Sequence, residues 1–197
     1  MKFGILEKMQ QLLKEIKQCK VCESHLSLGA NPVLIAHPES KILIIGQAPG
    51  TKVHATGIPF NDPSGERLRD WLGVNAAQFY DKKLFAIMPM GFCYPGRGKS
   101  GDLPPRKKCA PLWHPSLLDK MPNLQLTLLI GSYAQKYYLP KNPYKTLTET
   151  VRSYKAFLPK FFPLPHPSPR NNIWLKKHAW FEEEALPSLK KLIAQLC

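Results

Sequence analysis

Apolar positions recur along the chain with two different periods. Over residues 4–18, Ile5, Leu6, Met9, Leu12, Leu13 and Ile16 fall at helical spacing with charged residues between them, which predicts a packing helix. Residues 42–45 (ILII), 84–90 (LFAIMPM) and 124–130 (LQLTLLI) are instead short runs that are apolar at nearly every position. A strand covered on both faces has this form, and parallel sheets are built from such strands. Residues 33–36 and 41–45 read as two strands of a hairpin leading into the first parallel strand, and 161–165 as extended chain. Between these runs the helical period returns. A helix over about 65–72 carries Leu68, Trp71 and Leu72 on one face and Arg67, Arg69 and Asp70 on the other. A short helix spans 106–112, with a separate turn at Leu117 and Leu118. Further helices run from Gly131 through Tyr138, over 146–154, and from Asn172 onward with Leu186, Leu189, Leu192, Ile193 and Leu196 buried.

Strands alternating with helices predict an α/β fold with a mainly parallel sheet covered on both faces. The loops after the strands (46–65, 89–105, 131–134 and 166–171) would then meet at one edge, where open α/β folds bind their ligands. The stretch 41–73 is the centre of this reading. It breaks from strand into loop at Gly46. Gly46, Gly50 and Gly57 admit close backbone approach, Phe60 and Asp62 stand where the loop closes, and a helix follows Ser64 and Gly65. No Lys-Ser/Thr follows the glycines, as a phosphate-binding loop would require, so no nucleotide cofactor is expected. His54 matches no pattern and is expected to be solvated.

Composition refines the picture. A chain of 197 residues fits a single domain, 1–197. Its 20 prolines are about twice the usual ~5% and predict long, stiff connections. No apolar run nears a membrane span of ~20 residues, and lysines and glutamates interrupt the start of the chain where a signal peptide would be apolar. A cytoplasmic monomer with no membrane partner is expected. The formal charge of +14 points to a polyanion. Arg97, Lys99 and residues 106–108 form the basic patch expected to face it.

Four of the five cysteines are spaced as ligands: two residues separate Cys19 from Cys22, and fifteen separate Cys93 from Cys109. In a reducing compartment such pairs suggest a metal centre more than disulfides. Four thiolates satisfy either tetrahedral zinc or an iron–sulfur cubane. Cys197 stands apart from this set.

Together these motifs resemble the uracil-DNA glycosylase superfamily, nearest its bacterial and archaeal iron–sulfur classes. GQAPG (46–50) resembles the first signature, GIPF and DPSG (57–60, 62–65) its continuation, and HPSPRN (166–171) the second signature. Cys19, Cys22, Cys93 and Cys109 match the order of the family's cluster ligands, so the resemblance implies a [4Fe-4S] cluster, with zinc as the alternative. It implies a three-layer α/β/α sandwich around a four-stranded, mainly parallel sheet, DNA as partner, and hydrolysis of the N-glycosidic bond of uracil or another deaminated base. By resemblance Asp62, His166 and Gln47 are catalytic. Gly46, Ala48, Pro49, Gly50 and Phe60 form the base pocket, and Ser168, Pro169, Arg170, Asn171, Arg97 and Lys99 contact DNA. The chain departs from the family where an acid or amide often follows Gln47, here Ala48, and where an Asn often reads the base, here residues 88–91 (MPMG). These departures leave the base open and admit a DNA-binding member without activity.

Overall fold

The computed structural model describes residues 2–99 and 101–197. In chain order its strands are β1 (Ile42–Ile45), β2 (Phe85–Ile87), β3 (Arg97–Gly98), β4 (Gly101–Asp102), β5 (Leu126–Ile130) and β6 (Phe161–Leu164). The α-helices are α1 (Lys2–Lys17), α2 (Thr51–Thr56), α3 (Pro63–Leu72), α4 (Ala76–Phe79), α5 (Cys109–Asp119), α6 (Gly131–Tyr138), α7 (Leu147–Arg152), α8 (Asn172–Lys177) and α9 (Leu186–Leu196). Four strands form one sheet in the order β2-β1-β5-β6, and each neighbouring pair is parallel.

The apolar runs fill both faces of this sheet, as a buried parallel strand must. Ile42 and Ile44 of β1 join Phe85, Ile87, Leu128 and Phe162 in one core, beneath Leu68, Trp71 and Leu72 of α3 and Leu189 and Ile193 of α9. Leu43 and Ile45 turn the other way, joining Ala86, Met88 and Leu129 under Met9 and Ile16 of α1, Leu117 of α5 and Ala134 of α6. Burying each large apolar side chain contributes on the order of 1.5–3 kcal/mol, so two cores share one sheet. The fold is a three-layer α/β/α sandwich.

Several expectations change. Residues 33–36 form no hairpin with β1. Ile35 instead makes one antiparallel bridge to Ile87, exchanging hydrogen bonds of 2.9 and 2.7 Å with it. The loop after Gly50 holds α2, which ends where Gly57 takes the left-handed conformation, φ 70°, and returns its N–H to the Val53 carbonyl. Residues 109–119 form one helix in place of a short helix and a turn: Ala110, His114 and Leu117 anchor its buried face through Pro115. The tail breaks after Lys177 and passes through a π-helical segment at Phe181–Ala185 before α9. Leu186, Leu189 and Ile193 of the predicted stripe are buried, whereas Leu192 and Leu196 are partly exposed.

β6 is an edge strand with Pro163 inside it. The Thr127 N–H donates to the Lys160 carbonyl at 2.9 Å. The alternation of a parallel ladder then points the backbone polar groups of Phe162 and Leu164 toward β5, and those of Phe161 and Pro163 away from it.

Candidate active site

A pocket of about 430 Å³ opens at the carboxyl ends of β1, β2 and β6. Residues 46–50 form one wall, Phe60 and Asp62 another, and His166, Ser168, Arg170 and Asn171 a third. Chain segments more than 100 residues apart are therefore joined in one cavity. Residues 131–134 take no part, because Gly131 starts α6 directly after β5 and leaves no loop to reach across.

Asp62 occupies two roles at once. It is the N-cap of α3, its Oδ1 accepting from the Gly65 N–H at 2.9 Å, with Pro63 in the first helical turn. The same side chain lines the pocket. Just before it, Phe60 adopts φ 54°, a conformation a bulky residue takes only when its surroundings impose it. Gly65 is one of those surroundings, since a Cβ there would overlap the Phe60 backbone carbonyl. The Phe60 ring lies edge-on to Phe79 at 6.2 Å, and its Cζ is 3.4 Å from where a side chain on Gly46 would begin. The glycine leaves the ring in place against the first-signature loop.

The second-signature loop is fixed by its own polar groups. The Ser168 N–H donates to His166 Nδ1 at 3.2 Å, so in the neutral ring the hydrogen sits on Nε2. Asn171 Nδ2 donates to the His166 carbonyl at 2.7 Å, and Arg67 Nη1 to the Ser168 carbonyl at 3.1 Å. Burial lowers the His166 pKa, while the charges of Asp62 and Asp102 oppose the shift in part.

Beneath the wall, His114 is 1% exposed and holds Pro89, which lines the pocket. Its Nε2 lies 3.1 Å from the Pro89 carbonyl and its Nδ1 2.7 Å from the Tyr138 hydroxyl. A carbonyl only accepts, so Nε2 donates and Nδ1 accepts from the tyrosine. Burial drives this histidine down to about 4.

Arg97 and Lys99 are exposed and do not line the cavity; they belong to the hairpin formed by β3 and β4, which sequence patterning missed. Pro169 likewise stands outside the wall, opening a tight turn over Pro169–Asn171. Gln47 Nε2 reaches the Leu103 carbonyl beyond the hairpin at 3.5 Å. Val33, Pro89 and Asp102 line the pocket without having been singled out. A signal for Asp102 was present in the turn-forming residues 98–101 (GKSG) that precede it. His54, expected to be solvated, is partly buried against Tyr94 with ring centroids 6.1 Å apart.

Cys19, Cys22, Cys93 and Cys109 converge on a second depression, walled by Leu26, Pro32, Phe92 and Trp113. The Phe92 N–H donates to Cys109 Sγ at 3.3 Å. Burial raises the Cys93 thiol, against a hydrogen bond from the Asn31 backbone, and pushes Cys109 up to about 12. Arg106 and Lys108, expected to face a polyanion, line this depression. Among the described residues, no three His, Cys, Asp or Glu side chains are gathered to hold a single metal ion. No helix among them is long and apolar enough to cross a membrane.

The pattern of the uracil DNA glycosylase superfamily matches residues 34–190, and the chain belongs to that superfamily. The match takes in the sheet and all three pocket walls. Among solved structures, the solution NMR structure of a Methanosarcina acetivorans protein, provisionally named a uracil DNA glycosylase, is similar with a TM-score of 0.48. It is 18% identical, over 81% of this chain and 94% of that one.

Proposed function

We propose that this protein is a DNA glycosylase that hydrolyses the N-glycosidic bond of uracil or another deaminated base. One observation carries the reading: a single pocket collects Asp62, Phe60, His166 and the backbone of residues 46–50. Enzymes that act on a base must take it out of the stack and hold it in a fitted cavity. Phe60 offers the flipped base a ring whose position Gly46 and Gly65 protect. His166, neutral and carrying its hydrogen on Nε2, donates to a base carbonyl and stabilises the negative charge that forms as the bond breaks. Asp62 faces the sugar, offsets its oxocarbenium charge and orients water, as a carboxylate does in glycoside hydrolysis. Gln47 braces the hairpin and contributes an amide to the same wall. Arg170, Ser168 and Asn171, with Arg97 and Lys99 on the hairpin, supply the DNA contacts, most of which go to phosphate in such complexes.

The cysteine site fits a [4Fe-4S] group. Four thiols, apolar walls, backbone N–H donors toward the sulfurs of Cys93 and Cys109, and the cations of Arg106 and Lys108 suit an anionic thiolate cluster. Zinc, the alternative, would require its four sulfurs about 2.3 Å from one ion. When bound, the group would supply metal–thiolate bonds joining Cys19 and Cys22, after α1, to Cys93 and Cys109, on either side of the hairpin.

A second reading has one observation behind it. Asp62 spends an oxygen on the α3 cap and Ala48 brings no acid or amide, which suits a fold that binds DNA without cleaving it. Incubating cluster-loaded protein with oligonucleotides carrying uracil, hypoxanthine or xanthine separates the two. Abasic sites in at least one are expected; binding without abasic sites in any establishes the second reading. Brown protein with absorbance near ~400 nm is expected of the thiolate-bound cluster, and zinc-only protein refutes that part.

A further inference from the structure

The segment between Cys93 and Cys109 folds back as the β3–β4 hairpin, with Arg97 opposite Asp102 and Gly98 opposite Gly101. Two contacts fix where it stands. Gly101 has φ 145°, and a Cβ there would meet Arg170 Nη1, so the absence of a side chain lets the hairpin lie against the second-signature loop. On the other side, Asp102 Oδ2 is 3.7 Å from where a Cβ on Gly50 would be, and Gln47 reaches Leu103, the next residue. Asp102 is thus an exposed carboxylate held at the pocket mouth between residues 46–50 and 166–171. Residues 46–50 carry no acid of their own. Asp62 has Oδ1 committed to the Gly65 N–H. His166 feels both charges, which places it within electrostatic reach of each carboxylate.

We infer that Asp102 is a catalytic residue, the general base that takes the proton from the attacking water, while Asp62 helps to orient that water and remains the charge facing the sugar. This rests on the glycosylase reading. Two carboxylates in different surroundings are a common way to divide these tasks. Asp62 is tied to a helix terminus, whereas Asp102 sits where water enters and can exchange its proton with solvent. As the C1′–N bond breaks, its electron pair leaves with the base, whose anion accepts from His166 Nε2–H. The water oxygen bonds to C1′, one water proton passes to an Asp102 carboxylate oxygen and then to solvent, and the base takes up a proton from solvent. Arg97 and Lys99 lie on the same hairpin, so contact with phosphate and placement of the base belong to one element.

The test measures single-turnover cleavage of whichever modified oligonucleotide the cluster-loaded wild type cleaves, with DNA affinity and thermal unfolding measured in parallel. Asp102→Asn keeps the shape of an exposed side chain and should leave unfolding unchanged. Its cleavage rate should fall about 100-fold or more, the usual worth of a positioned general base, with affinity within about threefold. Asp102→Glu, which restores a carboxylate, should recover at least tenfold over Asp102→Asn. A rate for Asp102→Asn within tenfold of wild type overturns the inference and leaves the glycosylase reading standing, and so does a rate loss matched by lost affinity. Wild type that leaves no abasic site in any oligonucleotide overturns the glycosylase reading and this assignment together.

Discussion

His114 makes the stability of this protein depend on pH in a way that can be worked through. The ring is 1% exposed and stacks on Phe92 and Tyr138, with both nitrogens engaged. Burial takes it from an ordinary 6.5 to about 4 in the folded protein. A base whose folded pKa is depressed binds its proton more readily in the unfolded chain, so stability falls as pH drops through the window from about 6.5 to 4. At pH 5 the unfolded ring is almost fully protonated and the folded ring about one-tenth so. Linkage then costs about 2 kcal/mol, against a few tenths at pH 7. His166 shifts in the same direction and adds to the slope. The perturbation is His114→Phe, which keeps an aromatic ring in the stack and removes the titration. Urea unfolding at pH 7 and pH 5 should show wild type losing about 1.5–2 kcal/mol more than the variant between the two. At pH 7 the variant itself should be weaker by about 1–3 kcal/mol, since the Pro89 carbonyl and Tyr138 hydroxyl lose their partner. Equal losses for both proteins on going from pH 7 to pH 5 would refute the assignment of a neutral, buried His114.

Three further outcomes follow from the site. Asp62→Asn should keep the α3 cap, since Asn caps as well as Asp, yet lose turnover, whereas Asp62→Ala should also lose about 1 kcal/mol of stability. Wild-type cleavage by Asp62→Asn would show the cap to be the whole role. Gly65→Ala forces Phe60 out of position and should cost about 1–3 kcal/mol or more in thermal unfolding along with base binding; a variant with wild-type unfolding and activity would contradict that packing. Removing Arg97 and Lys99 together should flatten the dependence of log DNA affinity on log salt by about 1 per lost phosphate contact. An unchanged slope would place both side chains away from DNA.

The sheet was legible because its strands are apolar on both faces: ILII, LFAIMPM and LQLTLLI have no other economical use in a chain of this size. Most of the pocket was legible too, since GQAPG, GIPF, DPSG and HPSPRN carry distinctive residue types that the fold brings to one edge. What escaped lies in elements with weak local signals. α2 is a single turn and a half whose stop is one glycine. The β3–β4 hairpin is two residues on each side, too short for period-two alternation to appear. Asp102 consequently looked like one more polar loop residue. His114 was invisible as a positioning group because nothing near it in sequence names Pro89 or Tyr138, which tertiary packing alone brings to its ring. Residues 33–36 have strand-like composition, yet only Ile35 bridges β2; antiparallel register sets Val33 opposite Pro89, which has no N–H, and the Val33 N–H donates instead to the Phe92 carbonyl at 2.8 Å.

The edge strand β6 has a consequence for how the molecule behaves in company. Pro163 and Pro165 share the outward parity of the strand with Phe161, and a proline has no N–H to offer. Along that rim an approaching chain would find donors missing at alternate positions, where an intact ladder would recruit it. The opposite rim is blunted differently, by the Ile35 bridge to Ile87 at the end of β2. A four-stranded sheet with both borders closed in this way has little capacity to extend itself into another copy. In a chain of formal charge +14, those two prolines act as a safeguard against strand-by-strand aggregation.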